Sequence, residues 1–268
     1  MKIDLPDIKI LIKNILPTSA SFFGDFVHPL LGKTATQSIG QRSLNYLEEI
    51  KLNNSKSDIG KFNVFITSLL LRSASAESGG RLYKELEKNI RNYNDVDTKN
   101  IKDVLKIAMY RFPPQGLETI LSFKDLFLKR YQGRWDVYLN EAKTKYKDNF
   151  VEDELLSIKG VGLKVRDLAL SCFLKEYSAN DIHVVRVLVR TGLFVHGYGD
   201  IDIGTNPNKK EDYLFMRKLI IRLSGESDFS PGELDRIFWH FGRTICKKKP
   251  DCQKCLVKND CLTYKNKS

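Results

Sequence analysis

Four of the chain's five cysteines, Cys246, Cys252, Cys255 and Cys261, follow the pattern C-x5-C-x2-C-x5-C. Thiols this dense, in a chain whose first residues carry no secretory pattern, read as metal ligands rather than disulfide partners, because intracellular thiols stay reduced. Four thiolates on one short loop suit either a tetrahedral zinc ion or a [4Fe–4S] cube. Structural zinc sites commonly use two close cysteine pairs well separated in sequence. Here a single C-x2-C pair is flanked by two lone cysteines, and the spacing favours the cluster. Lys247, Lys248, Lys249, Lys254 and Lys258 lie among the cysteines. They offer the loop to a phosphate backbone, or else form only a solvated face. Cys172 stands apart, on the apolar side of a predicted helix, and is expected in the core.

A second constellation lies upstream. Leu155-Leu156-Ser157-Ile158-Lys159-Gly160-Val161-Gly162-Leu163-Lys164-Val165-Arg166-Asp167 reads as the end of one helix, a turn with two glycines and the start of another. Glycines at 160 and 162 permit positive φ and close backbone approach, and the first N–H groups of the second helix can face an anion such as a DNA phosphate. A tight turn between any two helices could use the same glycines. Lys164 falls in the first turn of that second helix, where the dipole disfavours a cation and eases loss of its proton. A free amine there is a nucleophile able to form a Schiff base at a sugar carbon, although most lysines are solvated charges. Asp181, in Asn180-Asp181-Ile182-His183-Val184-Val185-Arg186, stands where a helix N-cap belongs, and capping is the plainer account of it. His183 is expected to orient or cap that turn rather than bind metal.

The elements that must position these residues are helices. Apolar residues recur at helical spacing, as in Phe62, Phe65, Ile66, Leu69 and Leu70, or Leu214, Leu219, Ile220 and Leu223, while strand patterns are scarce. The stretch from His183 to Leu188 is taken as helix too. Loops are predicted at 53–60, 113–116, 160–162, 198–208 and 227–232. Trp135, Trp239 and Tyr110 could stack on a base, but their apolar neighbours at helical spacing place them in the core. Lysine and arginine outnumber aspartate and glutamate by 44 to 33, a formal charge of +11, so polyanions head the list of partners. No apolar run approaches the ~18 residues that span a bilayer, and a soluble, intracellular protein is expected.

Taken together, these motifs resemble the endonuclease III branch of the helix–hairpin–helix DNA glycosylase superfamily. The family's L-P-G-V-G-x-K-x-A is similar to Ile158 through Arg166, its V-D-x-H-V-x-R to Asn180 through Arg186, and its terminal cysteine loop to Cys246 through Cys261, with the first gap one residue different. Upstream, Phe62 through Leu71 resembles the family's helix leading to the lesion-facing loop, and the likeness runs from about Lys61 to Cys261. Lys159 replaces the family's proline and Arg166 its alanine. In the loop after Leu71, where endonuclease III has a glutamine that fills the gap left by an extruded base, this chain reads Arg72-Ser73-Ala74-Ser75-Ala76.

The resemblance implies an all-α, two-lobed helix–hairpin–helix glycosylase fold with an iron–sulfur loop. Residues 1–60 would be N-terminal helices packing on the cluster lobe, 61–175 a helical barrel with the hairpin at about 155–167, and 176–268 the C-terminal lobe with the [4Fe–4S] loop at 246–261. It further implies a base-excision-repair enzyme, a bifunctional DNA glycosylase and abasic-site lyase, most simply acting on oxidised pyrimidines. Lys164 and Asp181 would be catalytic, Lys159, Gly160, Val161 and Gly162 would hold DNA, and Cys246, Cys252, Cys255 and Cys261 would bind the cluster. The partner would be double-stranded DNA carrying a damaged base or abasic site, bound by a monomer in the cytoplasm, at the nucleoid when on DNA, with no membrane involved. Damage such as 8-oxoguanine or mismatched or modified pyrimidines, a non-catalytic damaged-DNA-binding module, and a cluster-based redox sensor on DNA remain as alternatives.

Overall fold

The computed structural model describes residues 7–15, 26–27, 34–35, 39–71, 76–146, 152–193 and 210–265. Among these the architecture is helical, as the 3.6-residue periodicity predicts. The one exception is a two-residue antiparallel ladder, β1 (Phe26–Val27) with β2 (Thr34–Ala35), pairing Phe26 with Ala35 and Val27 with Thr34. The chain divides into two compact units, one of residues 25–35 and 48–177, the other of residues 1–24, 36–47 and 178–268. Helix α2 (Ile39–Ser55) contributes to both.

The central unit is built around α3 (Asp58–Leu70), whose residues from Phe62 to Leu70 are all buried. A helix buried on every face must satisfy its polar side chains internally. Asn63 donates to the Ile90 carbonyl at 3.1 Å, while Thr67 and Ser68 donate back to the carbonyls of Asn63 and Val64. Around it stand α4 (Ala76–Asn89), α5 (Thr98–Ile107), α6 (Pro113–Tyr131), α7 (Trp135–Thr144) and α8 (Leu163–Leu170). The core is aromatic. Phe123 stacks on Phe65 with ring centroids 4.9 Å apart, and Phe127 meets Trp135 at 4.5 Å. Such pairs each add about 0.5–1.5 kcal/mol beyond the area they bury. Trp135 and Tyr110 are therefore core residues, as expected. The predicted loop at Pro113-Pro114 is instead the first turn of α6. Proline lacks only an N–H that a first turn leaves unused, so there it starts a helix rather than breaking one.

The second unit assembles α1 (Ile8–Ile15), α9 (Ile182–Thr191), α10 (Lys210–Gly225), α11 (Pro231–Thr244) and α12 (Leu262–Lys265). Ile8, Leu11, Ile12 and Ile15 from α1 join Val184, Val185, Leu188, Ile220, Phe238 and Val257 in one apolar cluster. A capping box starts α11, with Ser230 and Glu233 each accepting the other's backbone N–H. Helices α9 and α11 come close at Gly242, where a Cβ would collide with the His183 carbonyl. The lesion-facing loop expected at 72–76 falls, but for Ala76, outside the described residues, as does the loop expected at 198–208. No helix among the described residues is long and apolar enough to cross a membrane.

Candidate functional site

The hairpin forms where the two glycines predict it, with a shorter first arm. A single 3-10 turn, Glu154–Ser157, stands where the end of a helix was expected, capped by Asp153, which accepts the Leu155 N–H at 3.0 Å. The glycines have different jobs. Gly160 takes φ +84°, a left-handed conformation that favours glycine, whereas Gly162 is extended at φ −95° and serves as the N-cap of α8. A Cβ at Gly162 would meet nothing within 4 Å, so the protein's own packing does not require glycine there. Its missing side chain instead leaves open space before the first N–H groups of α8, the arrangement that admits a phosphate. Ile158 and Val161 are buried in the core while Lys159, Gly160 and Gly162 are exposed. The turn is thus anchored by its apolar residues and presents the others. Val161, expected at the DNA contact, can offer backbone atoms only. Lys159 makes an exposed ion pair with Glu118 at 3.3 Å.

Lys164 lies in the first turn of α8, half-buried, with no hydrogen-bonding or ion-pair partner among the described residues. Asp181 caps α9, as its position in the sequence predicts, Oδ1 accepting the N–H groups of His183 at 2.8 Å and Val184 at 3.2 Å. Lys164 belongs to the central unit and Asp181 to the second. His183 does not cap the turn; its own N–H is what Asp181 holds. The ring sits edge-on to Trp239, and the Arg186 guanidinium is 3.3 Å from its Nδ1. Burial lowers the His183 pKa, outweighing the Asp181 charge that raises it.

All four expected cysteine ligands line one cavity of about 250 Å3, with Phe241, Ile245, Val257 and Tyr264 among its other walls. Burial pushes Cys255 up to about 11, the thiols of Cys246, Cys261 and Cys252 adding to the rise against a hydrogen bond from the backbone at Val257. Burial likewise raises Cys246, opposed by Arg190. Among the described residues no group of three or more cysteine, histidine or acidic side chains stands close enough to grip a single metal ion. Four thiols lining one cavity are a donor set that suits a thiolate-held metal group. Arg190 ties this loop to the last turn of α9. Its guanidinium donates to the carbonyls of Lys247 at 2.6 Å and Lys248 at 3.1 Å and reaches Cys246 Sγ at 3.6 Å, while its own carbonyl accepts from Cys261 Sγ at 3.1 Å. Its spacing of nine residues from Asp181, at the other end of one helix, was the only signal in the sequence.

Met109 was missed altogether. This large apolar side chain is 68% exposed, on a residue with φ +51°. A non-glycine residue held left-handed is strained, and such strain gathers at functional positions. Both sides of the turn are fixed. Arg81 reaches the Ala108 carbonyl at 3.5 Å, and the Tyr110 hydroxyl donates to the Leu70 carbonyl at 3.1 Å, in the last turn before the expected lesion-facing loop. Ile107, 59% exposed, extends the apolar surface.

No family model matches the chain. The endonuclease III of Thermotoga maritima is 26% identical over 221 residues, covering 80% of this chain and 88% of that protein. That of Rickettsia felis is 29% identical over 161 residues, or 55% and 68% of the two chains. Among solved structures, a Methanocaldococcus jannaschii 8-oxoguanine glycosylase/lyase in complex with DNA containing 8-oxoguanine superposes with a TM-score of 0.58 at 18% identity, over 87% of this chain and 96% of that one. A trapped endonuclease III–DNA covalent intermediate gives 0.55 at 19% identity, over 86% and 99%. The chain therefore has the all-helical fold of the helix–hairpin–helix glycosylases. Both of these sequence relatives carry the name of the branch that the chain's motifs resemble.

Proposed function

We propose that this protein is a base-excision-repair DNA glycosylase with abasic-site lyase activity. The observation that carries the reading is the hairpin, which presents open space before the N-terminus of α8 and, in that helix's first turn, an amine with no partner among the described residues. Lysine-rich surroundings and a formal charge of +11 supply the attraction for a duplex. Lys159 and the backbone at Gly160, Val161 and Gly162 hold a phosphate. A damaged nucleotide leaves the stack at a cost of a few kcal/mol, lowest where pairing is already weak. Met109, apolar and held out by its turn, fills the space the base vacates.

Lys164 Nζ, as the free amine, attacks C1′ as the bond to the base breaks, and the departing base takes a proton. Asp181 takes up the proton released by the amine and stabilises positive charge developing on the sugar, through the oxygen its cap leaves unused. The C1′–O4′ bond then breaks, O4′ taking a proton as the ring opens, and the iminium left at C1′ acidifies the C2′ hydrogen; removing that proton expels the 3′ phosphate by β-elimination and nicks the strand. Cys246, Cys252, Cys255 and Cys261 hold a [4Fe–4S] cluster. When bound, that group supplies structure, ordering a loop too short to bury a core of its own.

Oxidised pyrimidines are the proposed substrates, because the curated relatives are endonucleases III. The structural neighbour that is an 8-oxoguanine glycosylase/lyase favours a second reading, excision of 8-oxoguanine by the same residues. Single-turnover incision of duplexes carrying thymine glycol, 8-oxoguanine, uracil or an abasic site decides between them. Preference for thymine glycol supports the first, and preference for 8-oxoguanine the second. Tight binding with no incision of any duplex would mean a binding module instead.

A further inference from the structure

Two residues that depart from the family pattern sit at the hairpin, and the structure relates them. Arg166, in place of alanine, is 0% exposed, where a guanidinium is tolerated only with partners. Its Nε donates to Asp167 Oδ1 at 2.9 Å, a second nitrogen lies 3.7 Å from Asp153 Oδ2, and its plane lies over the Tyr177 ring at 5.8 Å. Asp153 is buried too, and is the residue that caps the first arm. The Tyr138 hydroxyl donates to its Oδ2 at 3.5 Å. An ionic link therefore joins the first arm of the hairpin to the second beneath the turn.

Lys159, in place of proline, sits where proline would fit. Ile158 before it has ψ 126°, the extended conformation that a following proline demands. Lys159 itself is outside the left-handed region, and its N–H makes no backbone hydrogen bond among the described residues. Replacing proline removes the restraint on φ and loosens the turn.

We infer that the Asp153–Arg166 pair is a positioning clamp, holding the two arms of the hairpin in register in place of the rigid turn that proline provides in the family pattern. The importance of that register rests on reading the hairpin as the DNA-gripping element. Burial raises Asp153 to about 6 against the pull of Arg166. Removal from water thus outweighs the attraction, and the pair specifies geometry rather than adding stability, a known use of buried ionic groups.

The test is amide hydrogen exchange on the full-length, cluster-loaded chain without DNA, for wild type, Asp153→Asn and Asp153→Asn/Lys159→Pro. Asparagine keeps the cap and leaves Arg166 paired with Asp167, so the fold survives the change. The clamp predicts that exchange at Gly160 to Lys164 rises about tenfold in Asp153→Asn, as for a local opening made easier. The amides of α3 and α6 stay at wild-type rates, and the added proline restores protection to the hairpin. Unchanged hairpin exchange, an increase shared equally by α3 and α6, or failure of proline to restore protection would each overturn the inference. Since the measurement involves no substrate, its failure is distinct from failure of the glycosylase reading, which incision tests.

Discussion

One oxygen of Asp181 holds the His183 N–H at 2.8 Å and the Val184 N–H at 3.2 Å, leaving the other carboxylate oxygen without a partner among the described residues. Cap and catalyst can therefore be separated. Asparagine caps as well as aspartate but carries no charge, so Asp181→Asn is expected to melt near wild type while single-turnover excision falls about 100-fold or more. Asp181→Ala loses the cap as well, at about 1 kcal/mol. A thermal melt beside an excision time course checks both; near-normal excision by Asp181→Asn would reduce the residue to its cap.

Met109 sets stability against activity. A methionine at φ +51° carries about 1 kcal/mol of strain that glycine does not. Met109→Gly is expected to melt no lower than wild type yet excise damaged bases more slowly, with affinity for undamaged duplex little changed. Equal excision rates would remove Met109 from the account of base extrusion.

Lys159 is exposed and paired only with an exposed Glu118, so its loss costs little stability. If it contacts a phosphate, Lys159→Ala lowers the slope of log affinity against log salt by about 0.9. Fluorescence anisotropy at several salt concentrations measures the slope, and an unaltered value would place the side chain away from the backbone.

Asp153 gives the central unit a pH signature. Its carboxyl lies at about 6 in the fold against an ordinary 3.8. In that interval the folded chain binds the proton and the unfolded chain does not, so this group's stabilisation is complete below pH 4 and is lost as the pH rises through 6. The stability advantage of wild type over Asp153→Asn should therefore shrink between pH 4 and pH 6 in denaturant titrations. An advantage that grows across the same interval would show the opposite shift.

The cysteine loop should depend on its cofactor. Cys252–Lys254 and Lys258–Asp260 are single 3-10 turns with no buried residues, so little apolar packing holds them. Cys255→Ala is expected to lose bound iron and the visible absorbance of the cluster, and to open the segment around Lys258 to proteolysis. Full iron content in that variant would take Cys255 out of the ligand set.

The sequence made legible whatever depends on local spacing. Gly160 and Gly162 marked the hairpin, Asp181 the start of α9, and the four cysteines their common loop, because turns, caps and short loops are set within a few residues of chain. Features set by tertiary packing did not show. Arg166 read as a neutral departure, since nothing near it in the chain announces that Asp153, thirteen positions earlier, meets it in the core. The left-handed turn at Met109 depends on anchors at Arg81 and Leu70, and Pro113-Pro114 read as a loop because proline signals a break more often than a first helical turn.

The central claim is that Lys164 is the nucleophile, and borohydride reduction of the protein on an abasic-site duplex tests it most directly. The account predicts a covalent protein–DNA adduct with wild type and none with Lys164→Ala that still folds and binds the duplex. An adduct of equal yield in Lys164→Ala, or no adduct from folded, DNA-binding wild type, would contradict it.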